Sequence, residues 1–344
     1  MSFNPQKVAR AVAGSLALTL VSVGLAGCSV GDGREPVRFT FSKREAIEFM
    51  TDVVAKYNAS QDKVQVNIDT SGVDVVSASF VRGNPPDLML ANYNMEVARF
   101  VERCTLSDLS DTTAASQMKE SYQPLLDQYG VCEGRQSALP FSVMAASVIY
   151  NKEIFEANNL QVPTTWDELI EVCDKLTAAG ITPFYGTLAD SWTVLPSFNG
   201  MGAYPARDGF FDQLRELGAA VGADSAASFQ KDFAETGERQ AKLYSYAQEG
   251  FRGRTYDDGN GAFARGETAM YMQGVWAMNP IKQANPDIEA GIFPYPMTDS
   301  ADDRLLVSGV DVAVMIGRGT PHLEEAKRFV EFMFRPEIIE RFAQ

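Results

Sequence analysis

Val37-Arg38-Phe39-Thr40-Phe41, then Ala46 to Tyr57, then Val64-Gln65-Val66-Asn67-Ile68-Asp69 is the stretch that decides the fold. The first piece is a strand. The second places Ile47, Met50, Val54 and Tyr57 at helical spacing, and in the third Val64, Val66 and Ile68 alternate with polar residues as in a half-buried strand. Pro85-Pro86 introduces a third apolar strand, Asp87-Leu88-Met89-Leu90-Ala91, which runs into Asn92-Tyr93-Asn94. Strand, helix, strand is α/β order. The same habit continues downstream, with strands at Ala145 to Tyr150, Thr268 to Gln273 and Asp311 to Ile316. Thr165-Trp166-Asp167-Glu168 spells a capping box for a helix that ends before Gly180. The last helix is expected to begin with Thr320 as its cap and Pro321 in its first position, presenting Leu323, Ala326, Val330 and Met333 on one face. With 344 residues, 45% of them hydrophobic, the chain can bury two domain cores. It contains no internal repeat.

Forty-five acidic residues stand against 30 basic ones, for a formal charge of -15, so a phosphate backbone is not an expected partner. Upstream, Lys7 and Arg10 precede the apolar run Ala11 to Ala26, which is too short and too rich in Gly and Ala to span a membrane. The run ends at Leu25-Ala26-Gly27-Cys28, which resembles the lipobox of bacterial lipoproteins. The expectation is a signal peptide over 1–27, acylation at Cys28 and a linker over 28–36. The protein would then be held by lipid on the outer face of the bacterial cytoplasmic membrane. In that oxidising compartment Cys104 and Cys132, in loop-like polar surroundings, are expected to pair, and the bridge stabilises by roughly 3 kcal/mol on the chain-entropy model. Cys173 lies on a helical apolar face with Trp166, Leu169, Ile170 and Leu176 and is expected to pack there as a free thiol.

Catalytic signatures are missing. No G-x-S-x-G, G-x-x-x-x-G-K or G-x-G-x-x-G follows a strand, and one histidine, His322, leaves no His-rich metal site. His322 is expected on the surface of its helix. Asp257-Asp258-Gly259-Asn260-Gly261 fails the calcium-loop alternation and is expected to be a turn. Paired carboxylates of a glycosidase stay open at this level, because only their separation in space identifies them. What stands out instead is polar and aromatic residues where strands end, the place where open α/β sheets hold ligands. These are Ser42-Lys43-Arg44-Glu45, Asn92-Tyr93-Asn94 and Val275-Trp276. Trp276 fits a platform for the C–H face of a sugar and fits core packing equally; Lys43 also reads as a solvated loop charge.

Three further runs carry a family resemblance. Leu139-Pro140-Phe141 with Val148-Ile149-Tyr150-Asn151-Lys152, then Val162-Pro163-Thr164-Thr165-Trp166-Asp167-Glu168-Leu169, then Phe263 to Met270 with Gly274-Val275-Trp276 resemble, in order and spacing, the sugar-binding lipoproteins of bacterial ABC importers. The resemblance covers Val37 to the end. It implies a two-lobed periplasmic-binding-protein-like α/β fold with a hinge and a ligand cleft between the lobes, no catalysis and no cofactor or metal. Lobe one would take 37–139 and 308–334, and lobe two 140–307 with 335–344. Family members usually continue with several more helices, so the second lobe is expected to be incomplete at its C-terminal end. Ser308-Gly309-Val310-Asp311 and Lys43 resemble the subgroup that takes α-linked gluco- or galacto-oligosaccharides of the raffinose or isomalto-oligosaccharide type. By that resemblance Lys43, Asn94 and Asp311 hold the terminal sugar, Trp276 is an aromatic platform and the run Thr182 to Tyr185 lines the cleft. The full expected ligand set is Lys43, Glu45, Asn92, Tyr93, Asn94, Phe184, Trp192, Trp276, Gly309 and Asp311. Asp311 as a buried structural acid is the competing reading of that residue. The implied partners are the oligosaccharide and the subunits of a permease, with the binding protein itself a monomer. An extracellular glycoside hydrolase or polysaccharide lyase is the alternative.

Overall fold

The structure, a computed structural model, describes residues 33–342. The signal peptide, the Cys28 acylation site and most of the 28–36 linker lie outside the described residues. Eight strands form one continuous sheet: β1 (Glu35–Thr40), β2 (Val64–Asp69), β3 (Leu88–Asn92), β4 (Leu139–Asn151), β5 (Thr182–Tyr185), β6 (Thr268–Gly274), β7 (Ala290–Phe293) and β8 (Val307–Ile316). Their order is β2-β1-β3-β8-β4-β6-β5, with β7 also pairing β4. β2, β1 and β3 are parallel, whereas β8 runs antiparallel to both β3 and β4. The two long strands make the architecture. β4 pairs β8 from Leu139 to Ala146 and then β6 and β7 from Ala146 to Asn151, so a single strand serves two halves of the sheet.

Each half is a lobe with its own core, because a sheet buried on both faces needs helices on both. In lobe one, Val37, Phe39, Phe41 and Leu88 pack beneath Met50 and Val54 of the helix Ile47–Ala59 and Phe329 and Val330 of the helix Leu323–Met333. The Phe39 and Phe329 rings meet edge to face at 5.3 Å. Val97, Phe100 and Val101, with Met89 and Met315, fill the opposite face. In lobe two, Leu169, Val172, Cys173 and Leu176 of the helix Trp166–Ala178 pack on Val148, Met270 and Met272. Tyr256, Phe263 and Ile281 cover the other side.

Several sequence expectations hold at residue level. Thr165 and Glu168 form the capping box, Cys104 and Cys132 are bridged, and Cys173 is a fully buried free thiol whose burial pushes its pKa well up. Four expectations are corrected. The last long helix starts at Leu323, not at Pro321: Thr320 accepts a 3.1 Å hydrogen bond from the His322 backbone N–H and donates to Asp87, fixing a turn ahead of the helix. His322 occupies the cap position, half-buried. Asp257 to Gly261 is not a turn but part of the helix Tyr256–Ala264, started by a capping box of Thr255 and Asp258. The segment 335–344, expected in lobe two, packs as far as it is described on lobe one. Its helix Pro336–Phe342 buries Ile338 in the first core, sets Phe342 against Phe49 at 5.3 Å and Phe141 at 5.0 Å, and places Arg341 2.7 Å from Asp52. Apolar faces follow the nearest unpaired apolar surface, which here belongs to the first lobe.

The disulfide closes a segment of 28 residues in sequence separation. On the chain-entropy model it contributes about 3–4 kcal/mol, so a Cys104→Ala/Cys132→Ala protein is expected to unfold at lower urea by that free energy with an unchanged sugar-free secondary structure; urea unfolding followed by circular dichroism measures it.

Candidate functional site

The cleft sits where β1, β3, β4 and β8 end or cross. Asp311 is its anchor. In the β4–β8 ladder the register shifts on both sides of Ser142, so that Ser142 pairs Val312 and Val143 pairs Val310, leaving Asp311 outside the ladder. A bulge of this kind re-aims a side chain out of the sheet. On its other side the Asp311 carbonyl accepts the Tyr93 N–H at 2.9 Å, which continues the β3 pairing by one residue.

The carboxylate that results has three partners. Lys43 Nζ, just beyond β1, donates to Oδ1 at 2.9 Å and lies 2.8 Å from Oδ2. Asn92 Nδ2, at the end of β3, lies 3.3 Å from Oδ1, and Ser142 Oγ donates to Oδ2 at 3.3 Å. The Lys43 and Asp311 side chains are only 10% and 11% exposed, so the pair is largely desolvated but still reachable from the cleft. Lys43 is therefore not a solvated loop charge. Asp311 is both a structural acid and a wall of the cavity.

Two neighbouring cavities of about 540 and 480 Å³ share Lys43, Glu45, Trp276 and Asp311. The smaller takes Asn92, Tyr93 and Asn94 from lobe one and Trp192, Leu195 and Asn199 from lobe two. Trp276 stands between the two, half-buried, with Nε1 donating to Gln273 Oε1 at 3.3 Å. Its ring folds back over Gly274, where a Cβ would strike both the indole and the Ala145 carbonyl. Trp192 is 37% exposed and leans on Tyr256 at 5.0 Å. Burial, then the negative charge of Glu45, push the Tyr256 phenol above its ordinary range.

The structure gathers Lys43, Glu45, Asn92, Tyr93, Asn94, Trp192, Trp276 and Asp311 around one space. Two expected members are elsewhere. Phe184 is fully buried in the lobe-two core, opposite Met270 in the β5–β6 ladder, because its side chain takes the inward face of the strand. Gly309 pairs Met144 in the ladder beside the cavity and is buried rather than on its wall. Asn94 is at the cleft, but its Oδ1 accepts from the backbone N–H groups of Glu96 and Val97 as a helix cap, leaving only Nδ2 for a ligand. Its neighbour Asn92 makes the contact with Asp311. Ser142, Tyr122 and Tyr129 were not legible: Ser142 is placed by a bulge, and the tyrosines reach the cleft from the disulfide-closed segment. Among the described residues no cluster of His, Cys, Asp or Glu is arranged to hold a metal, and no helix is long and apolar enough to cross a membrane.

The comparisons with known proteins bear on family and fold. The family model for bacterial extracellular solute-binding proteins matches residues 43–339. A multiple sugar-binding protein of Streptococcus mutans serotype c is 24% identical over 347 aligned positions, covering 94% of this chain and 78% of that protein. The sn-glycerol-3-phosphate-binding periplasmic protein of Shigella flexneri serotype 5b is 25% identical, covering 76% of this chain and 60% of that protein. Among solved structures, the solute-binding protein RafE in complex with raffinose superposes with a TM-score of 0.77 at 26% identity, covering 89% of this chain and 79% of that one. The apo form of RafE from Streptococcus pneumoniae gives 0.70 at 25% identity, covering 90% and 79%.

Asp311→Ala strands a desolvated ammonium at Lys43 and is expected to cost about 3 kcal/mol of stability, with the Lys43→Met/Asp311→Leu pair recovering much of it; chemical denaturation of the three variants tests this. Tyr93, whose OH donates to the Leu126 carbonyl at 3.2 Å, is pushed by burial, then by the charge of Asp127, from 10.0 up to about 12. The folded state keeps that proton while the unfolded chain loses it, so the Tyr93 contribution is full below pH 10 and lost as pH rises towards about 12. Tyr93→Phe is expected to make the alkaline fall in unfolding free energy shallower over that window.

Proposed function

The chain belongs to the bacterial extracellular solute-binding protein family, and we propose that within it this protein captures an α-linked oligosaccharide of the raffinose or isomalto-oligosaccharide type for an ABC importer. The proteins of this family that it resembles bind solutes, and the chain is a solute-binding protein rather than an enzyme. The observation that carries the sugar reading is the cleft wall itself: the Asp311 carboxylate, held by Lys43, Asn92 and Ser142, beside the Trp276 indole. A carboxylate accepts two neighbouring hydroxyls and Lys and Asn donate to others, while indole faces take the apolar side of a pyranose. A sugar epimer that turns a hydroxyl away leaves one of these groups unpaired and is rejected on that account. The S. mutans relative and the raffinose complex support this class. A phosphate-bearing ligand fits less well, because Lys43 is already neutralised by Asp311, and Arg44, the other cation on this wall, is engaged by Asp257 and Asp190.

Closure of the two lobes around the sugar, about the β4–β8 crossing, is the physical event the reading requires. The finer parts of the proposal are lobe boundaries near 139/140 and 307/308, monomeric action, handover to permease subunits, and tethering through diacylated Cys28 on the outer face of the cytoplasmic membrane. The Asn94 role narrows to a single donor, Nδ2, with Asn92 as the residue that orients the carboxylate.

Calorimetric titration with raffinose, melibiose, isomaltose, maltotriose, sucrose and xylobiose, followed by product analysis, tests the function. Saturable binding of an α-galactoside or α-glucoside with the sugar recovered intact is expected, and breakdown of any of them would show a hydrolase or lyase instead. Trp276→Ala is expected to weaken the bound sugar by about tenfold, equivalent to about 1.4 kcal/mol of lost stacking. Cys28→Ala is expected to move the protein from the membrane fraction to the medium, read by immunoblot of the two fractions.

A further inference from the structure

Arg44 lies between Lys43 and Glu45 and lines the smaller cavity with them, and its guanidinium faces acids of the other lobe. Its Nη1 is 3.5 Å from Asp257 Oδ2 and its Nη2 is 4.0 Å from Asp190 Oδ2, and both acids belong to lobe two. Its guanidinium also stands over the Tyr256 ring, 5.9 Å from the centroid. The lobe-two corner it meets is preassembled. Asp190 Oδ2 accepts the Tyr256 backbone N–H at 2.7 Å, and Tyr256 in turn supports Trp192 on the cleft wall. Arg44 of lobe one therefore touches, at the rim, the corner that positions an aromatic wall of the sugar site, and the charge of Glu45 beside it acts on the same Tyr256.

We propose that Arg44 with Asp257 and Asp190 is an ionic latch across the cleft rim, which sets the balance between open and closed lobes and thereby the apparent affinity for the sugar. The proposal deepens the sugar-binding reading and rests on it for its affinity arm. A ligand that needs the closed state binds with its intrinsic dissociation constant divided by the fraction of molecules in that state, so a lobe-to-lobe contact that favours closure tunes affinity without itself having to hold the sugar. The arrangement suits tuning. Arg44 is 55% exposed and Asp257 72%, so the pair is worth little in stability and is screened by salt, which keeps the latch weak enough to release.

The test uses Asp257→Arg, Arg44→Glu and the double variant, each read in two ways. In the first, spin labels at Lys63→Cys on lobe one and Glu216→Cys on lobe two report the sugar-free lobe separation by pulsed dipolar spectroscopy. Asp257→Arg is expected to shift the distribution to longer distances, and the double variant to shift it back. In the second, raffinose titrated by calorimetry is expected to bind about two- to fivefold more weakly to Asp257→Arg, with partial recovery in the double variant and a loss of the weakening that added salt produces in the unchanged protein. Recovery by the swapped pair marks a lobe-to-lobe contact, since a direct sugar contact by Arg44 would be lost in both. An unchanged separation in Asp257→Arg, or a double variant no closer to the parent than either single one, overturns the latch. Should raffinose fail to bind the parent protein, the sugar reading fails on its own while the lobe separation still decides the latch.

Discussion

The antiparallel pairing of β4 with β8 is the constraint on which the molecule depends. Thirteen residues of β4 run from the first lobe into the second, and ten of β8 run beside the early part of it. In an unbroken ladder the Asp311 side chain would keep the face that strict alternation assigns to it. The register shift at Ser142 frees Asp311 from the ladder and brings its carboxylate to the place where β1 and β3 also end. The same crossing thus joins the lobes, leaves room for them to hinge, and places the site at the joint.

Electrostatics at that joint are arranged for a neutral, hydroxyl-rich ligand. The Lys43–Asp311 pair is too desolvated to be cheap in isolation, and the hydrogen bonds from Asn92 and Ser142 to the same carboxylate offset part of that cost. Its charges are balanced, so the cleft presents donors and acceptors without a strong net field. Trp276 and Trp192 add flat apolar faces from lobe two. A sugar offers a complementary surface on both counts, and each lobe supplies part of the wall that would meet it.

Packing decides what surrounds this joint. The disulfide between Cys104 and Cys132 restrains the segment that delivers Tyr122 and Tyr129 to the cleft, and Tyr129 meets Tyr93 edge to face at 5.6 Å. The helix Pro336–Phe342 settles on lobe one because Phe49 and Phe141 offer aromatic edges there, and its Ile339 and Phe342 line the larger cavity.

The sequence by itself determined the local parts: the alternation in Val64 to Ile68, the helical spacing from Ile47 to Tyr57, the Thr165–Glu168 capping box, the burial of Cys173, and the strand ends where Lys43, Asn92 and Trp276 stand. These are short-range patterns, fixed by backbone geometry and by the period of each element. Tertiary structure alone decided that Asn92 rather than Asn94 meets Asp311, that Ser142 is the third partner, that Phe184 turns inward and that Thr320 serves Asp87 instead of a helix. Each of these depends on a partner far away in sequence, 219 positions for Asn92 and Asp311 and 169 for Ser142 and Asp311. Which residues a fold brings together over such separations is set by register and burial across the whole sheet, and no local pattern carries that information.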